Sequence, residues 1–219
     1  MTICDKKKVD YSLYLVTDRD LSLGRSNLEV IQAAVRGGVT LVQLREKEKT
    51  TKEFYQEGLE IRAYLKSRNI PLIINDRIDI TLALDAEGVH LGQEDMPIDI
   101  ARKILGPKKI IGASVFTPEE AETAEALGAD YLSLSPIFIT QTKPELIQHL
   151  GIEGITLLRE AVQIPVVGIG SINRVNAYEA VKAGLDGVAV VSAICSQEDP
   201  RAAAEGIKKE VLRAKKVLR

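Results

Sequence analysis

The sequence predicts a single (β/α)8 barrel, the TIM-barrel class of α/β fold, and three observations lead to it. Short apolar runs of strand length alternate with helical segments eight times along the chain. Pro71 to Ile74 is the clearest such run, and its unbroken apolar character is typical of a parallel strand that helices cover on both faces. It ends abruptly in Asn75, Asp76 and Arg77, and other runs also end in polar residues, as expected where a barrel collects its chemistry.

The predicted strands and helices follow one another in strict alternation. The strands are expected at 12–17, 41–45, 71–77, 88–92, 110–114, 131–134, 166–169 and 187–191. The helices are expected at 27–36, 50–67, 78–84, 98–105, 117–128, 153–161, 175–183 and from 200 onward. Eight such units in 219 residues suit one closed barrel over residues 11–219, preceded by a tail at 1–10.

Local signals mark several boundaries between these elements. Thr50 and Glu53 form a capping box, and Thr117 followed by Pro118 is a strong helix start. A glycine, a tight turn and an apolar strand recur at Gly38, Gly88, Gly128 and Gly184. A doubly wound sheet is the alternative, but no dinucleotide-binding fingerprint follows the first strand, so the barrel is favoured.

Composition excludes several classes of function. A net charge of −2 and a pI near 5.8 argue against nucleic acid or an anionic membrane as the main partner. No apolar run approaches a membrane span, and residues 1–10 do not resemble a secretory signal, so a cytoplasmic protein is expected. Cys4 and Cys195 lie far apart, which indicates neither a disulfide framework nor a zinc site.

The predicted strand ends carry groups suited to anions, together with a pair of carboxylates. These residues are Gln43, Arg45, Lys47, Asn75, Asp76, Gln93, Glu94, Asp95, Ser114, Thr140, Thr142, Lys143, Gly170, Ser171 and Ser192. Asp76 and Asp95 follow neighbouring strands, and two such carboxylates repel each other unless a proton or a cation lies between them. We expect them to bind Mg²⁺ shared with substrate phosphates; two separate helix caps are the alternative.

The cations would neutralise a bound anion. Gln43 and Arg45 share parity along the second strand, so both can point inward at the rim, where a cation needs an anionic partner. Lys47 could equally be a solvated loop lysine. The run from Thr140 through Gln141 and Thr142 to Lys143 fits an oxyanion clamp, with a flexible surface loop as the alternative.

A phosphate site is expected after the seventh and eighth strands. The segment Gly168 to Ser171 lacks the third glycine of a dinucleotide motif, so that motif is rejected. Barrels often bind a phosphate on backbone N–H groups after these two strands, so the segment predicts such a cradle, completed by Ser192. A tight turn and cap is the alternative. His90 is interpreted as a satisfied core residue, and His149 lies in a loop. Because no Ser/His/Asp or Cys/His set is evident, acyl transfer is not expected.

The chain resembles the thiamine phosphate synthase (thiamine-phosphate pyrophosphorylase) family over nearly its whole length. The matching motifs are Tyr14-Leu15-Val16-Thr17-Asp18, Gln43-Leu44-Arg45-Glu46-Lys47, Asn75-Asp76-Arg77, His90-Leu91-Gly92-Gln93-Glu94-Asp95, Thr140-Gln141-Thr142-Lys143 and Val191-Ser192-Ala193-Ile194. The resemblance implies Mg²⁺-dependent joining of an aminopyrimidine diphosphate (4-amino-2-methyl-5-hydroxymethylpyrimidine diphosphate) to a thiazole phosphate, with a carboxylated thiazole phosphate as the expected natural form. It also implies release of pyrophosphate by a dissociative, carbocation route.

Residue roles follow from the resemblance by position. Asp76 and Asp95 would hold Mg²⁺, and Arg45, Lys47 and Lys143 would be catalytic. The pyrimidine diphosphate would be held by Gln43, Arg45, Lys47, Asn75, Ser114 and Lys143. The thiazole phosphate would be held by Thr140, Gln141, Thr142, Gly170, Ser171, Val191 and Ser192.

Three serines depart from the family pattern, and two rival functions stay open. Ser133, Ser135 and Ser171 stand where the family usually has glycine, which touches only the thiazole side. One rival is a sister enzyme that isomerises the thiazole; the other is a non-catalytic barrel that binds phosphorylated metabolites. The partners expected are small phosphorylated molecules, and self-association into a homo-oligomer is compatible with the fold.

Overall fold

The computed structural model describes residues 6–138 and 150–218, and it shows a closed barrel of parallel strands. The strands are β1 (Leu13–Val16), β2 (Leu41–Leu44), β3 (Leu72–Asn75), β4 (Gly88–Leu91), β5 (Ile110–Val115), β6 (Tyr131–Leu134), β7 (Val166–Gly168) and β8 (Gly187–Val190). They pair in chain order, and β8 closes the ring by pairing with β1. The predicted (β/α)8 fold is therefore confirmed.

The helices surround this barrel. They are α1 (Asn27–Arg36), α2 (Thr51–Lys66), α3 (Ile78–Ala83), α4 (Ile98–Leu105), α5 (Pro118–Ala126), α6 (Gly151–Ala161), α7 (Ala177–Lys182), α8 (Ser192–Cys195) and α9 (Pro200–Val217). The predicted caps are present: the hydroxyl of Thr50 accepts from the Glu53 N–H in a full capping box, and that of Thr117 accepts from the Glu120 N–H.

Helix α6 begins at Gly151, two residues before its predicted start. Two other elements differ from the sequence prediction for identifiable reasons. Helix α7 begins at Ala177 rather than at 175, because the side chains of Asn173 and Asn176 accept backbone N–H bonds at 2.8 Å and hold the preceding residues in a turn. The short helix α8 was not predicted, since four residues are too few to show a helical period.

Alternate residues of each strand pack on opposite sides of the barrel wall. Outward residues such as Leu13 and Leu15 join the large core between strands and helices, whereas inward residues such as Tyr14, Tyr131 and Ile73 fill the barrel itself. Inward Gly112 on β5 makes this filling possible: a Cβ there would lie 2.0 Å from Cζ of Tyr131. The ring of Tyr131 therefore crosses the barrel through space that only glycine leaves open.

The amino end of the barrel is closed by residues just before β1. Lys6 pairs with Asp130 at 3.0 Å, and Asp10 pairs with Lys208 of α9 at 3.3 Å. The division into a tail at 1–10 and a barrel from residue 11 stays a prediction. Among the helices in the described part of the chain, none has the length and apolar character needed to cross a membrane.

Candidate active site

Strands β2, β3 and β4 bring three charged groups together at the carboxyl end of the barrel. Lys47 lies in the loop after β2, three residues beyond Leu44, and its Nζ donates to Oδ2 of Asp76 at 2.5 Å. Asp76 directly follows β3, and Asp95 follows β4 and lies close enough for the two carboxyl groups to interact. The structure therefore places these two predicted metal ligands side by side, with Lys47 against one of them.

Neither aspartate serves as a helix cap. Arg77 is the N-cap residue of α3 and has no side-chain cap hydrogen bond, while Asp76 has φ +60° and donates its N–H to the His90 carbonyl at 2.9 Å. Asp95 accepts the Gly92 N–H at 2.7 Å inside its own turn, and Pro97 is the N-cap residue of α4. The alternative of two helix caps is wrong for both residues.

The electrostatics of this pair suit a divalent cation. Burial and the neighbouring Asp76 carboxyl raise the pKa of Asp95, whereas the Gly92 N–H and Lys47 act in the opposite direction. Two carboxylates that repel each other in an open mouth are hard oxygen ligands, and Mg²⁺ is commonly held by one or two carboxylates plus substrate phosphates. Within the described ranges, no group of three or more His, Cys, Asp or Glu side chains is placed to hold a metal ion.

Arg45 and Gln43 lie at the end of β2 but in different surroundings. The guanidinium of Arg45 is half-exposed and donates from Nη1 to Oδ2 of Asp18 at 3.0 Å. Its backbone N–H donates to Oγ1 of Thr17 at 3.0 Å, which ties the start of the loop to β1. Gln43 points into the barrel and is almost fully buried.

A line of buried polar side chains crosses the barrel beneath the mouth. Nε2 of Gln43 donates to Oη of Tyr14 at 2.7 Å, and Tyr14 is hydrogen-bonded to Tyr131 at 2.8 Å. Tyr131 is in turn 2.9 Å from Nδ1 of His90, and Nε2 of His90 is 3.0 Å from Oγ of Ser114. Burial lowers the pKa of His90 to about 4, partly opposed by Asp76, so the imidazole is neutral near pH 7.

This arrangement confirms the sequence interpretation of His90 as a satisfied core residue and adds a connection that was not predicted. Gln43 and Ser114, both assigned to the pyrimidine from the resemblance, are the two ends of the line. The sequence did not predict that Tyr131 links Tyr14 to His90, because these partners lie on β1 and β4, far from it in sequence. Asn75, at the end of β3, has no side-chain hydrogen bond to any residue that the structure describes.

The turn after β7 has the backbone shape expected for the phosphate side. Gly170 has φ +102° and Ser171 has φ +51°, so two successive residues adopt positive φ. Gly170 is also packed tightly, since a Cβ there would lie 2.8 Å from Cα of Pro136. Val191 follows β8, the strand beside β7, and Ser192 begins α8. Thr140, Gln141, Thr142, Lys143 and His149 lie outside the described residues.

Glu46 is a second feature that sequence reasoning missed. Although it stands between Arg45 and Lys47, its side chain is only 4% exposed and turns back between α1 and α2. It accepts a short hydrogen bond from Nδ2 of Asn27 and faces Glu57, and burial, with Glu57, raises its pKa. The signal that could have predicted this position is alternation: if side chains alternate from Arg45 to Lys47, that of Glu46 points away from the other two.

Known proteins resemble this chain over most of its length. A family model described as thiamine monophosphate synthase matches residues 13–194. A thiamine-phosphate synthase of Chloroflexus aurantiacus is 48% identical over 91% of this chain and 92% of its own length. One from Desulfitobacterium hafniense strain Y51 is 50% identical over 91% of this chain and 96% of its own length.

Solved structures agree with these relatives. A thiamine phosphate pyrophosphorylase from Pyrococcus furiosus is 42% identical, covers 94% of this chain and 98% of its own, and has a TM-score of 0.86. A 3-hexulose-6-phosphate synthase that is 16% identical, with a TM-score of 0.70, shows the barrel fold alone. The chain belongs to the thiamine monophosphate synthase family, and it is a transferase that forms thiamine phosphate.

Proposed function

We propose that this enzyme joins 4-amino-2-methyl-5-hydroxymethylpyrimidine diphosphate to 4-methyl-5-(2-phosphoethyl)thiazole in a Mg²⁺-dependent reaction that releases pyrophosphate. With the carboxylated form of the thiazole phosphate, the same reaction also releases CO2. The observation that carries the proposal is the pair of Asp76 and Asp95 at the barrel mouth, with Lys47 against Asp76. Membership of the thiamine monophosphate synthase family supports phosphorylated substrates, and a cytoplasmic location is part of the same proposal.

The proposed roles divide the mouth into two sides. Asp76 and Asp95 would hold Mg²⁺, which when bound would offset negative charge on the diphosphate. Arg45, Lys47 and Lys143 would bind the diphosphate oxygens and stabilise the charge that grows on the leaving pyrophosphate. Because the bond to the leaving group breaks before the thiazole nitrogen attacks, the residues need to stabilise charge rather than remove a proton.

The thiazole side would use backbone groups and hydroxyls. Gly170 and Ser171 both have positive φ in the turn after β7, and backbone N–H groups in such a turn can bind an anion. Val191 and Ser192 would border the same phosphate from the end of β8. Thr140, Gln141 and Thr142, which lie outside the described residues, would also bind it. The substrates would thus meet between two phosphate sites on opposite sides of one mouth.

The test is to measure pyrophosphate and thiamine phosphate with both substrates, in Mg²⁺ and in EDTA. We expect the two products in equal amounts only when both substrates and Mg²⁺ are present. Conversion of the carboxylated thiazole phosphate without pyrophosphate release would favour the isomerising sister enzyme. Binding of both substrates without turnover would favour a non-catalytic barrel, and full activity in EDTA would contradict the metal assignment.

A further inference from the structure

We propose that Tyr14, Tyr131 and His90 are positioning residues that give Gln43 and Ser114 opposite hydrogen-bonding roles, so that the mouth accepts an aminopyrimidine and rejects its oxo counterpart. This inference rests on the proposed function, because it takes the pyrimidine as the ring that Gln43 and Ser114 face. It assigns the specificity to three buried residues that need not touch the substrate.

The hydrogen-bond line has a direction, because each hydroxyl carries one proton. Gln43 donates to Tyr14, so the proton of Tyr14 goes to its only other hydrogen-bond neighbour within the described ranges, Tyr131, at 2.8 Å. The proton of Tyr131 then goes to Nδ1 of His90 at 2.9 Å. Nδ1 therefore accepts, and the imidazole proton lies on Nε2.

The far end of the line fixes the role of Ser114. Nε2–H of His90 donates to Oγ of Ser114 at 3.0 Å, which leaves the hydroxyl proton of Ser114 free for a ligand. Reversing the bond between Tyr131 and His90 would leave the Tyr131 proton without an acceptor, because Tyr14 already donates to Tyr131. A buried donor without an acceptor is unfavourable, so the one-way arrangement is favoured.

At the other end of the line, the two polar atoms of the Gln43 amide have different roles. Its Nε2 donates to Tyr14, whereas Oε1 accepts no hydrogen bond from the residues described and is not sealed from solvent. The site thus presents an acceptor at Gln43 and a donor at Ser114. An aminopyrimidine offers a matching donor in its amino group, for Gln43, and matching acceptors in its ring nitrogens, for Ser114. A 4-oxopyrimidine puts an acceptor where Gln43 needs a donor.

Packing holds the line in place. The rings of Tyr14 and Tyr131 meet edge to face with centroids 5.9 Å apart, and His90 stacks on Tyr131 at 5.6 Å and 30°. Tyr131 is fully buried, and its path across the barrel depends on Gly112. The hydroxyls therefore cannot turn to other partners without repacking the barrel interior.

The experiment replaces Tyr131 by phenylalanine, which keeps the ring and removes the link. Binding of the aminopyrimidine diphosphate and of its 4-oxo analogue is measured calorimetrically with Mg²⁺, and kcat and KM are measured where turnover occurs. We expect wild type to prefer the amino compound, and Tyr131→Phe to reduce that preference by about tenfold or more, mostly through KM. Tyr178→Phe, on the surface helix α7, is the control.

Tyr14→Phe breaks the same line at its other tyrosine and should reproduce the effect, including where Tyr131→Phe folds poorly. An unchanged preference in a folded Tyr131→Phe or Tyr14→Phe protein would overturn the proposal, and so would a wild type that prefers the oxo compound. Failure of the proposed function would look different: no pyrophosphate release by wild type, with the binding comparison still able to decide the inference.

Discussion

The barrel contains two pairs of interacting carboxyl groups, Glu46 with Glu57 and Asp76 with Asp95, and the two pairs differ in burial and in the number of cations around them. Glu46 and Glu57 lie between α1 and α2, where Arg19 and Lys49 pair with Glu57 at 2.9 and 2.7 Å. Asn27 adds a short bond to Glu46. Asp76 and Asp95 lie at the open mouth, where the described residues supply Lys47 and the Gly92 N–H.

The difference shows what separates a structural acidic pair from a candidate ligand site. Two cations of the chain balance the two glutamates, and the side chains are 4% and 13% exposed, so no space or charge is left for a ligand. The aspartates meet one lysine within the described ranges and face the mouth. A raised carboxyl pKa occurs in both places, for Glu46 and for Asp95, and does not by itself identify the functional pair.

The largest effect is expected from Asp95→Asn, which removes one charge from the open pair while keeping its size. We expect kcat to fall by about a thousandfold or more, since a proposed metal ligand is lost, with little change in Tm. Steady-state kinetics over a Mg²⁺ series and a thermal melt are the measurements. Asp99→Asn on α4 is the matched control, and near-normal turnover in Asp95→Asn would show that the mouth pair is not the metal site.

Glu46→Ala makes the corresponding change in the closed pair. It removes the short hydrogen bond from Asn27 and the longer contacts of Arg19 and Lys49, all of which keep Glu57 as a partner. We therefore expect a loss of about 1–2 kcal/mol in the free energy of unfolding. Urea unfolding measures it, with exposed Glu48→Ala as the neighbour control. If instead Mg²⁺ dependence changed while stability did not, the two pairs would have been assigned the wrong way round.

The smallest effect sharpens the contrast at Lys47. This lysine competes with a cation for Asp76, and exposed ion pairs are worth about 1 kcal/mol or less. Lys47→Met should therefore tighten Mn²⁺ binding in the absence of substrate by up to about fivefold, even though turnover falls. Paramagnetic titration with Mn²⁺ reports this affinity directly. Weaker Mn²⁺ binding would mean that Lys47 supports the aspartates rather than competing with them.

Much of the fold was predictable because its signals are local. The capping box at Thr50 and the Thr117-Pro118 start depend on residues within one helical turn, and the strands are continuous apolar runs. The proximity of Asp76 and Asp95 was also predictable, since consecutive strands in such a barrel are neighbours. These inferences need only the order of elements along the chain.

The remaining features depend on contacts between distant parts of the sequence. The role of Tyr131 requires Tyr14 from β1, His90 from β4 and the missing side chain of Gly112. The positive φ of Asp76 depends on its N–H reaching the His90 carbonyl, which no local pattern specifies. The sequence also suggested a cap at Asp76, because an aspartate before a helix is common whether or not it caps.

Pairing of β1 with β8 has a consequence for how the molecule is made. Leu13 pairs with Val188, so one of the first strands to leave the ribosome waits for one of the last. Until then the growing sheet has two open edges, each a template for pairing with another chain. Residues 187–190 pair with β7 on one side and β1 on the other, so this one strand closes both edges and the finished barrel leaves no sheet edge open to another chain.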